Sequence, residues 1–400
     1  MPSSPSLASS PPQPRPRVVL ALHRVGPYHH VRFEAASRHL DLTVVETRPA
    51  SQEYPWLGEP ARLPYGLLRI QGAADPEADP PRASLQRQWQ AILHSTAAEA
   101  VVSVGWADRA YQVLLQQAQR RRLPLVVACD SRERDRPRSA AREWLKRQLL
   151  TGYSAALVAG SESRAYLRQL GFPAQAIHQP WDVVDNAYFT QLPSPPPPAH
   201  GPHFLCVSRF VPKKNHAALL DAYGRYQAEG GSWGLDLVGF GPLEPQLFAA
   251  VAALPQPGRC RILPFLQLPD LALAYRQASA LVLASLSDQW GLVVNEAIAA
   301  GLPVLVSSGC GCAADLIEPG VSGLSFNPVD GRQLSDQLHS MERLSPPQRQ
   351  AMVAAARQRL QAFSPASCAL ALQAAVAQAL SRRSRSLRSR LVAAALSRLV

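Results

Sequence analysis

Short apolar runs, rich in β-branched residues, alternate along the chain with longer stretches of mixed polarity. The first runs are RVVLAL (17–22), DLTVVE (41–46), AVVSVG (100–105), LPLVVAC (123–129) and SAALVAG (154–160). They are mostly continuous instead of alternating, as expected of strands covered on both faces. Helices are predicted between them over 29–40, 83–98 and 107–122. A second series runs HFLCVS (203–208), GLDLVGF (234–240), CRILPF (260–265), ALVLAS (280–285) and LPVLVS (302–307), separated by helix-compatible stretches. Strand and helix alternating twice over predict an α/β protein of two doubly wound, Rossmann-like domains with mostly parallel sheets. The segment QLPSPPPPAHGP (191–202) suits neither a helix nor a central strand and reads as an extended linker. The expected divisions are a disordered, proline-rich leader (1–16), an N-terminal domain (17–190), the linker (191–202), a C-terminal domain (203–380) and a basic tail (381–400). Ligands of such sheets sit beyond the carboxyl ends of the strands, so the loops after the strands are where chemistry is expected.

Composition narrows the class. With 47% hydrophobic and 18% charged residues in 400, the chain has the profile of a folded globular protein. No run of about 18 apolar residues predicts a membrane span, and the leader lacks the apolar core of a signal peptide. The six cysteines make no disulfide scaffold. Cys310 and Cys312 are the one close pair and lack a second ligand cluster for zinc, so no metal and no cofactor are expected and a cytoplasmic setting is the default. The formal charge of +12 comes from 41 basic and 29 acidic residues, and only Lys146, Lys213 and Lys214 are lysine. The excess sits in two places, residues 120–148 and the tail from 379 onward, and the rest of the chain is neutral.

Three constellations carry candidate chemistry. SRFVPKKNH (208–216) follows a strand and places Arg209 and Lys214 before a helix, which suits a diphosphate and equally suits a solvated basic turn. GFGPLE (239–244) offers Gly239 and Gly241 for close backbone approach to a ligand, but Glu244 stands where a dinucleotide fingerprint needs its third glycine. That argues against a dinucleotide-dependent oxidoreductase or epimerase. The strongest is SLSDQWGLVVNEAIAAGLPVLVSSGCG (285–311), with a helix predicted from near Gly291 to Gly301. Eight residues at ~100° each put Asp288 and Glu296 on different helix faces. They converge on one ligand only if Asp288 lies in the preceding loop. The alternative is an N-cap aspartate and a solvated glutamate, although the helix is otherwise apolar.

Together and in order, these segments resemble the C-terminal half of glycosyltransferase family 4, whose members are retaining enzymes of the GT-B fold. The arginine–lysine pair corresponds to Arg209 and Lys214, and the acid–seven residues–acid signature to Asp288 and Glu296, with aspartate where the family usually has glutamate. The resemblance spans roughly 203–330. It implies that Arg209 and Lys214 neutralise a donor diphosphate, that Glu296 holds the ribose, and that Asp288 holds the transferred sugar. It further implies that the loop with Leu263 and Phe265 borders the base, and that Gly291, Leu292, Gly309 and Gly311 contribute to donor binding. In the N-terminal half, RVGPYHH (24–30) loosely resembles the family's first loop, with Gly26 near the donor phosphate and His29 and His30 as candidates on the acceptor side. The family's histidine at the fourth strand tip is missing, and Asp130 or Ser131 stands there instead.

The expected function is transfer of a hexose from a nucleotide-diphosphate sugar to an acceptor hydroxyl of a glycan or lipid-linked glycan, without a metal, in polysaccharide or glycoconjugate synthesis. Segment 132–147 leaves two readings open: contact with an anionic acceptor or the inner membrane face, or a solvated helix of alternating charge. For the tail an interfacial helix ranks before a nucleic-acid tail and disorder. The rival from another class is a non-catalytic GT-B-like protein binding membrane or nucleic acid through these arginines, although no nucleic-acid partner is expected.

Overall fold

The computed structural model describes residues 14–49, 56, 62–75, 77–191, 200–382 and 386–399. The first sheet contains β1 (Arg17–Leu22), β2 (Asp41–Glu46), β3 (Gly66–Arg69), β4 (Ala100–Val104), β5 (Leu125–Cys129), β6 (Ala155–Val158) and β7 (Ile177–His178). All its pairings are parallel, in the order β3-β2-β1-β4-β5-β6-β7. The second contains β8 (His203–Val207), β9 (Gly234–Val238), β10 (Cys260–Leu263), β11 (Ala280–Leu283), β12 (Val304–Ser307) and β13 (Leu324–Phe326), also parallel, in the order β10-β9-β8-β11-β12-β13.

Helices cover both faces of each sheet, as the continuous apolar strands require. Around the first lie α1 (Pro27–Ser37), α2 (Arg82–Ser95), α3 (Arg109–Arg120), α4 (Ala140–Leu150) and α5 (Ser161–Gln169), with α6 (Asn186–Gln191) leading out. Around the second lie α7 (His216–Ala228), α8 (Glu244–Ala252), α9 (Leu268–Gln277), α10 (Leu292–Ala300), α11 (Ala313–Leu316), α12 (Gly331–Arg343) and α13 (Pro346–Leu360). Two further helices, α14 (Pro365–Ser381) and α15 (Leu387–Leu399), close the chain.

The predicted strands and helices lie where the runs placed them, with ends shifted by a few residues. Three strands carry no comparable run. β3 is a half-exposed edge strand, and β7 and β13 have two and three residues. Most of the leader and the linker (1–13 and 192–199) lie outside the described residues.

The C-terminal end returns to the first domain. α14 packs on α1 and runs along β5, β6 and β7, and His178 Nε2 lies 2.7 Å from Gln378 Oε1. α15 packs on α3 and α4, burying Ser389, Ala393 and Ser397, and Ser389 Oγ donates to the Leu149 carbonyl at 2.8 Å. By contact these helices lie against the N-terminal domain, with 363–380 acting as the closing helix that returns toward the first domain, the place the family resemblance implies for it, and 387–399 following it there. The tail expected as an interfacial helix is a helix packed into the fold, with Leu387 and Leu391 on its outer side. One 18-residue window within residues 346–381 is apolar enough on average to resemble a membrane span. Residues 346–381 form two helices broken at 361–364, and Cys368, Leu372, Ala375 and Val376 are buried in the core.

Candidate active site

The strand order reverses beside the first strand of each sheet, between β1 and β4 and between β8 and β11. Loops leaving such a pair diverge and open a crevice. Here the two crevices face each other across one cleft of about 690 Å³, a size typical of small-molecule sites.

Arg209, Lys214, Asp288 and Glu296 all line this cleft. Lys214 ends a single 3-10 turn, which Asn215 closes in the left-handed region at φ 60° before α7 begins. The Lys214 ammonium is ion-paired with the Asp288 carboxylate. Gly239 and Gly241 shape this corner differently from expectation. A Cβ on Gly239 would lie 1.9 Å from the Ser208 carbonyl oxygen, and one on Gly241 would lie 2.6 Å from that of Phe210. Both glycines therefore admit the backbone that carries Arg209, and Gly239 alone of the two borders the cleft.

Asp288 stands in the loop before α10, the one placement that lets it converge with Glu296. Its N–H donates to the Gly309 carbonyl at 3.2 Å, and its carbonyl accepts from Gly311 at 2.9 Å. Gly291, at φ 103°, turns the chain into α10, and Gly301 ends the helix at φ 90°. Glu296 is fully buried. Its Oε2 accepts from Tyr275 at 2.6 Å, and its Oε1 has no hydrogen-bond partner among the described residues. Burial pushes the Glu296 carboxyl up to about 7, against the opposing influence of the Tyr275 and Tyr28 hydroxyls. An unpaired buried acceptor is costly, and here it lines a cleft that a ligand hydroxyl can enter.

One end of the cleft is aromatic. Phe265 meets Trp56 with ring centroids 4.8 Å apart and Phe240 at 5.5 Å, and Tyr28 packs edge-on to Trp56. Leu292 and Gly26 also line the cleft, whereas Leu263 ends β10 behind it and accepts from the Gly239 N–H. Asp130 and Asp182 share the cleft with Asp288. Burial and mutual repulsion raise both, and for Asp182 the Arg32 guanidinium 3.2 Å away works against the rise. Ser131 does not reach the lining.

Gly309, Gly311 and His30 are placed away from the lining, whereas His29 lines the cleft while also serving the helix start. Gly309 and Gly311 lie behind the lining: the Gly309 carbonyl accepts from Arg132 at 2.9 Å, and a Cβ on Gly311 would strike the Gln289 carbonyl at 2.0 Å. His29 caps α1, its Nδ1 accepting from the Gly26 N–H at 3.0 Å, and burial beside Arg32 lowers it to about 3. His30 lies 2.6 Å from the Tyr65 hydroxyl and is not part of the lining.

Sequence reasoning missed Tyr28, Arg32, Trp56 and Phe240, and above all Arg132. This residue is 1% exposed. In its own domain it donates to Asp135 at 2.9 Å and Glu162 at 2.8 Å. Across the cleft it reaches the Gly309 carbonyl and, at 3.3 Å, Ser287 Oγ. Ser161 adds a second link, donating to Asp315 through N–H and hydroxyl at 3.0 and 2.9 Å.

Among the described residues one cluster has metal-ligand spacing, His200, His203 and Asp236. It lies toward the amino ends of β8 and β9, away from the cleft. The Arg261 guanidinium already occupies it, 2.8 Å from both Asp236 Oδ1 and His200 Nε2.

Residues 190–359 match the family model described as glycosyl transferases group 1. No curated protein sequence is a significant match. Solved structures align over nearly the whole chain. The lipopolysaccharide outer core galactosyltransferase WaaB, in its apo form, shares 15% identity at a TM-score of 0.66, over 90% of this chain and 98% of its own. Sucrose-phosphate synthase from Thermosynechococcus elongatus shares 19% at 0.69, over 90% and 97%. Anabaena HepE in complex with UDP-glucose shares 17% at 0.67, over 91% and 99%. The fold is GT-B. In GT-B terms, the cleft is the space between the two Rossmann-like domains, bordered on each side by a switch point.

Proposed function

We propose that this protein is a retaining, metal-independent hexosyltransferase of family 4 type that uses a nucleotide-diphosphate sugar. The observation that carries this reading is the meeting of Arg209, Lys214, Asp288 and Glu296 on one cleft between two switch points. Arg209 and Lys214 meet the donor diphosphate, and their charge counts most as the sugar–phosphate bond breaks. Lys214 then exchanges Asp288 for phosphate, leaving Asp288 to hold hydroxyls of the sugar. The unpaired Glu296 Oε1 takes a ribose hydroxyl, and the base rests in the aromatic end beside Phe265 and Trp56. The structurally similar HepE was solved in complex with UDP-glucose, which makes UDP-hexoses the first donors to try.

The acceptor is a hydroxyl of a glycan or lipid-linked glycan in polysaccharide or glycoconjugate synthesis. A cytoplasmic protein in peripheral contact with the inner membrane face fits the outward Trp144, Leu387 and Leu391, 57%, 65% and 61% exposed, in helices that also carry exposed Arg142, Arg388 and Arg390. Thermal shift and UDP release with a panel of nucleotide sugars test the reading. At least one donor should raise the melting temperature, and Lys214→Ala should lower turnover by roughly 10²–10³-fold. A folded protein that neither binds nor turns over any donor, or undiminished turnover by Lys214→Ala, refutes it.

A further inference from the structure

Three carboxylates line the cleft beside the place given to the transferred sugar in the proposed transferase function, on which this inference rests. Asp288 comes from the C-terminal domain, and Asp130 and Asp182 come from the N-terminal one. Side-chain contacts order them in a row. The Lys214 ammonium pairs with Asp288, and Gln289, the next residue, reaches Asp130 Oδ1 through its Nε2 at 3.4 Å. Asp182 and Asp288 both act on Asp130 as like charges. At the far end Arg32 Nη1 lies 3.2 Å from Asp182 Oδ1. Cations therefore close the row at both ends, while Asp130 in the middle has no ion-pair partner among the described residues. Arg24 and Arg136 also line the cleft, and no ion pair joins either to Asp130 or Asp182 among the described residues.

The backbone and its neighbours hold this row in place. Asp130 directly follows β5, and its carbonyl accepts from Ser163 Oγ at 2.9 Å. Arg32 is 2% exposed, donates through Nε to the Val183 carbonyl at 3.1 Å and lies 5.2 Å from the centroid of the Trp181 ring, so it grips the chain on both sides of Asp182. Burial and then Asp182 raise the Asp130 carboxyl to about 7, and Asp135 and Asp288 add to the rise. Carboxylates crowded in this way are eased by hydrogen-bond donors and made worse by a further anion. The three do not gather as ligands of one metal ion, a spacing met among the described residues only by His200, His203 and Asp236. Sugar hydroxyls suit them better, because each carries its own donor and points in its own direction. An independent observation places a ligand in the same cleft: Glu296 Oε1 is buried there without a partner among the described residues.

We infer that Asp130 and Asp182 are specificity-determining residues for the donor, accepting hydrogen bonds from an uncharged hexose and excluding a hexuronate, whose carboxylate would add a fourth negative charge among them. With donor bound, Lys214 turns to the phosphates and Asp288 loses its counter-ion. A sugar carboxylate would then meet three acids of which only Asp182 keeps a paired cation. Unpaired like charge lets a site reject a ligand whose shape otherwise matches.

The test uses the full chain and calorimetry with donors matched in base and configuration: UDP-glucose against UDP-glucuronate, UDP-galactose against UDP-galacturonate, and GDP-mannose against GDP-mannuronate. In the pair the protein binds best, the neutral donor should bind at least about tenfold tighter than the hexuronate. Asp130→Asn keeps the shape and removes the charge. It should lower that ratio severalfold by tightening the hexuronate, with the affinity for the free nucleoside diphosphate unchanged, a selective shift that a merely structural role would not produce. Asp182→Asn should move the ratio the same way, and it serves if Asp130→Asn fails to fold. A wild-type ratio below tenfold, or one that neither variant lowers, overturns the inference and leaves the transferase reading standing. A protein that binds neither a nucleoside diphosphate nor any of these donors overturns both.

Discussion

Arg132→Met is expected to open the cleft without unfolding either domain. The bonds of Arg132 to Asp135 and Glu162 lie within one domain and survive opening, whereas those to Gly309 and Ser287 do not. A hydrogen bond from a charged donor contributes ~1.5–3 kcal/mol. The Gly309 bond, at 2.9 Å and buried, counts in full, and the longer Ser287 bond adds a fraction. The latch is therefore worth ~2–4 kcal/mol, or roughly 30- to 700-fold in the equilibrium between closed and open forms. Since Gly309 also accepts the Asp288 N–H, opening loosens a carboxylate of the proposed sugar site. The acids left behind are tolerable: Asp135 also accepts from the backbone N–H of residue 132 at 2.7 Å, and Glu162 pairs with Arg134. Small-angle scattering should show a larger radius of gyration for the variant, and kcat/KM for UDP-glucose should fall within that range. Arg132→Lys keeps the charge but, with three donors on one nitrogen, cannot span the four partners Asp135, Glu162, Ser287 and Gly309, so it should recover only part of the loss. A variant with unchanged radius and kcat/KM within threefold of wild type would show that Arg132 does not hold the domains together.

Glu296 gives a pH signature. Its folded carboxyl sits near 7 against an ordinary 4.5, so the folded state keeps a proton that the unfolded chain has released. The resulting stability is fully present below 4.5 and is lost as pH rises through 7. Glu296→Gln should therefore gain in melting temperature over wild type as the pH goes from 4.5 to 8, and a constant difference would contradict the burial. Trp56→Ala should weaken UDP binding by roughly 5- to 150-fold in calorimetry, as loss of ~1–3 kcal/mol of base stacking implies, and unchanged affinity would place the base elsewhere. Truncation before residue 386 should lower the melting temperature by several degrees, because Ala393 and its neighbours fill the core beside α3. Leu387→Glu with Leu391→Glu should leave the melting temperature alone and abolish flotation with anionic vesicles. Flotation that persists would assign membrane contact to another surface.

Much of the fold was legible because a doubly wound sheet writes itself as buried strand runs. The runs at 17–22 and 203–208 are apolar whatever surrounds them. Edge strands escape for the converse reason: β3, half exposed, needs no apolar run. The Asp288–Glu296 pair was legible as a conditional, since helical geometry forbids convergence unless Asp288 precedes the helix, and Gly291 at φ 103° starts the helix between them. The glycines were read correctly as close approaches but toward the wrong partner. Gly241 meets the Phe210 backbone and Gly311 that of Gln289, because a missing Cβ shows that something is near without showing what.

Arg132 marks where local reading stops. It belongs to a run of ten basic residues whose summed charge suggests a surface. Yet Arg132 is buried, Arg138 stacks over Tyr166 at 4.4 Å, and Lys146 pairs with Glu143 at 2.9 Å. What separates a latch from a solvated arginine here is a carbonyl 177 positions further on, brought near only when two sheets turn their carboxyl ends toward each other. Asp130 has the same origin. The sequence shows it as a residue at a strand tip, but not its place beside Asp182 and Asp288. Gln289, 159 positions further on, reaches it because the two domains face each other across the cleft. Net charge reports how many arginines a chain has, whereas the topology of its sheets decides which of them meet the cleft.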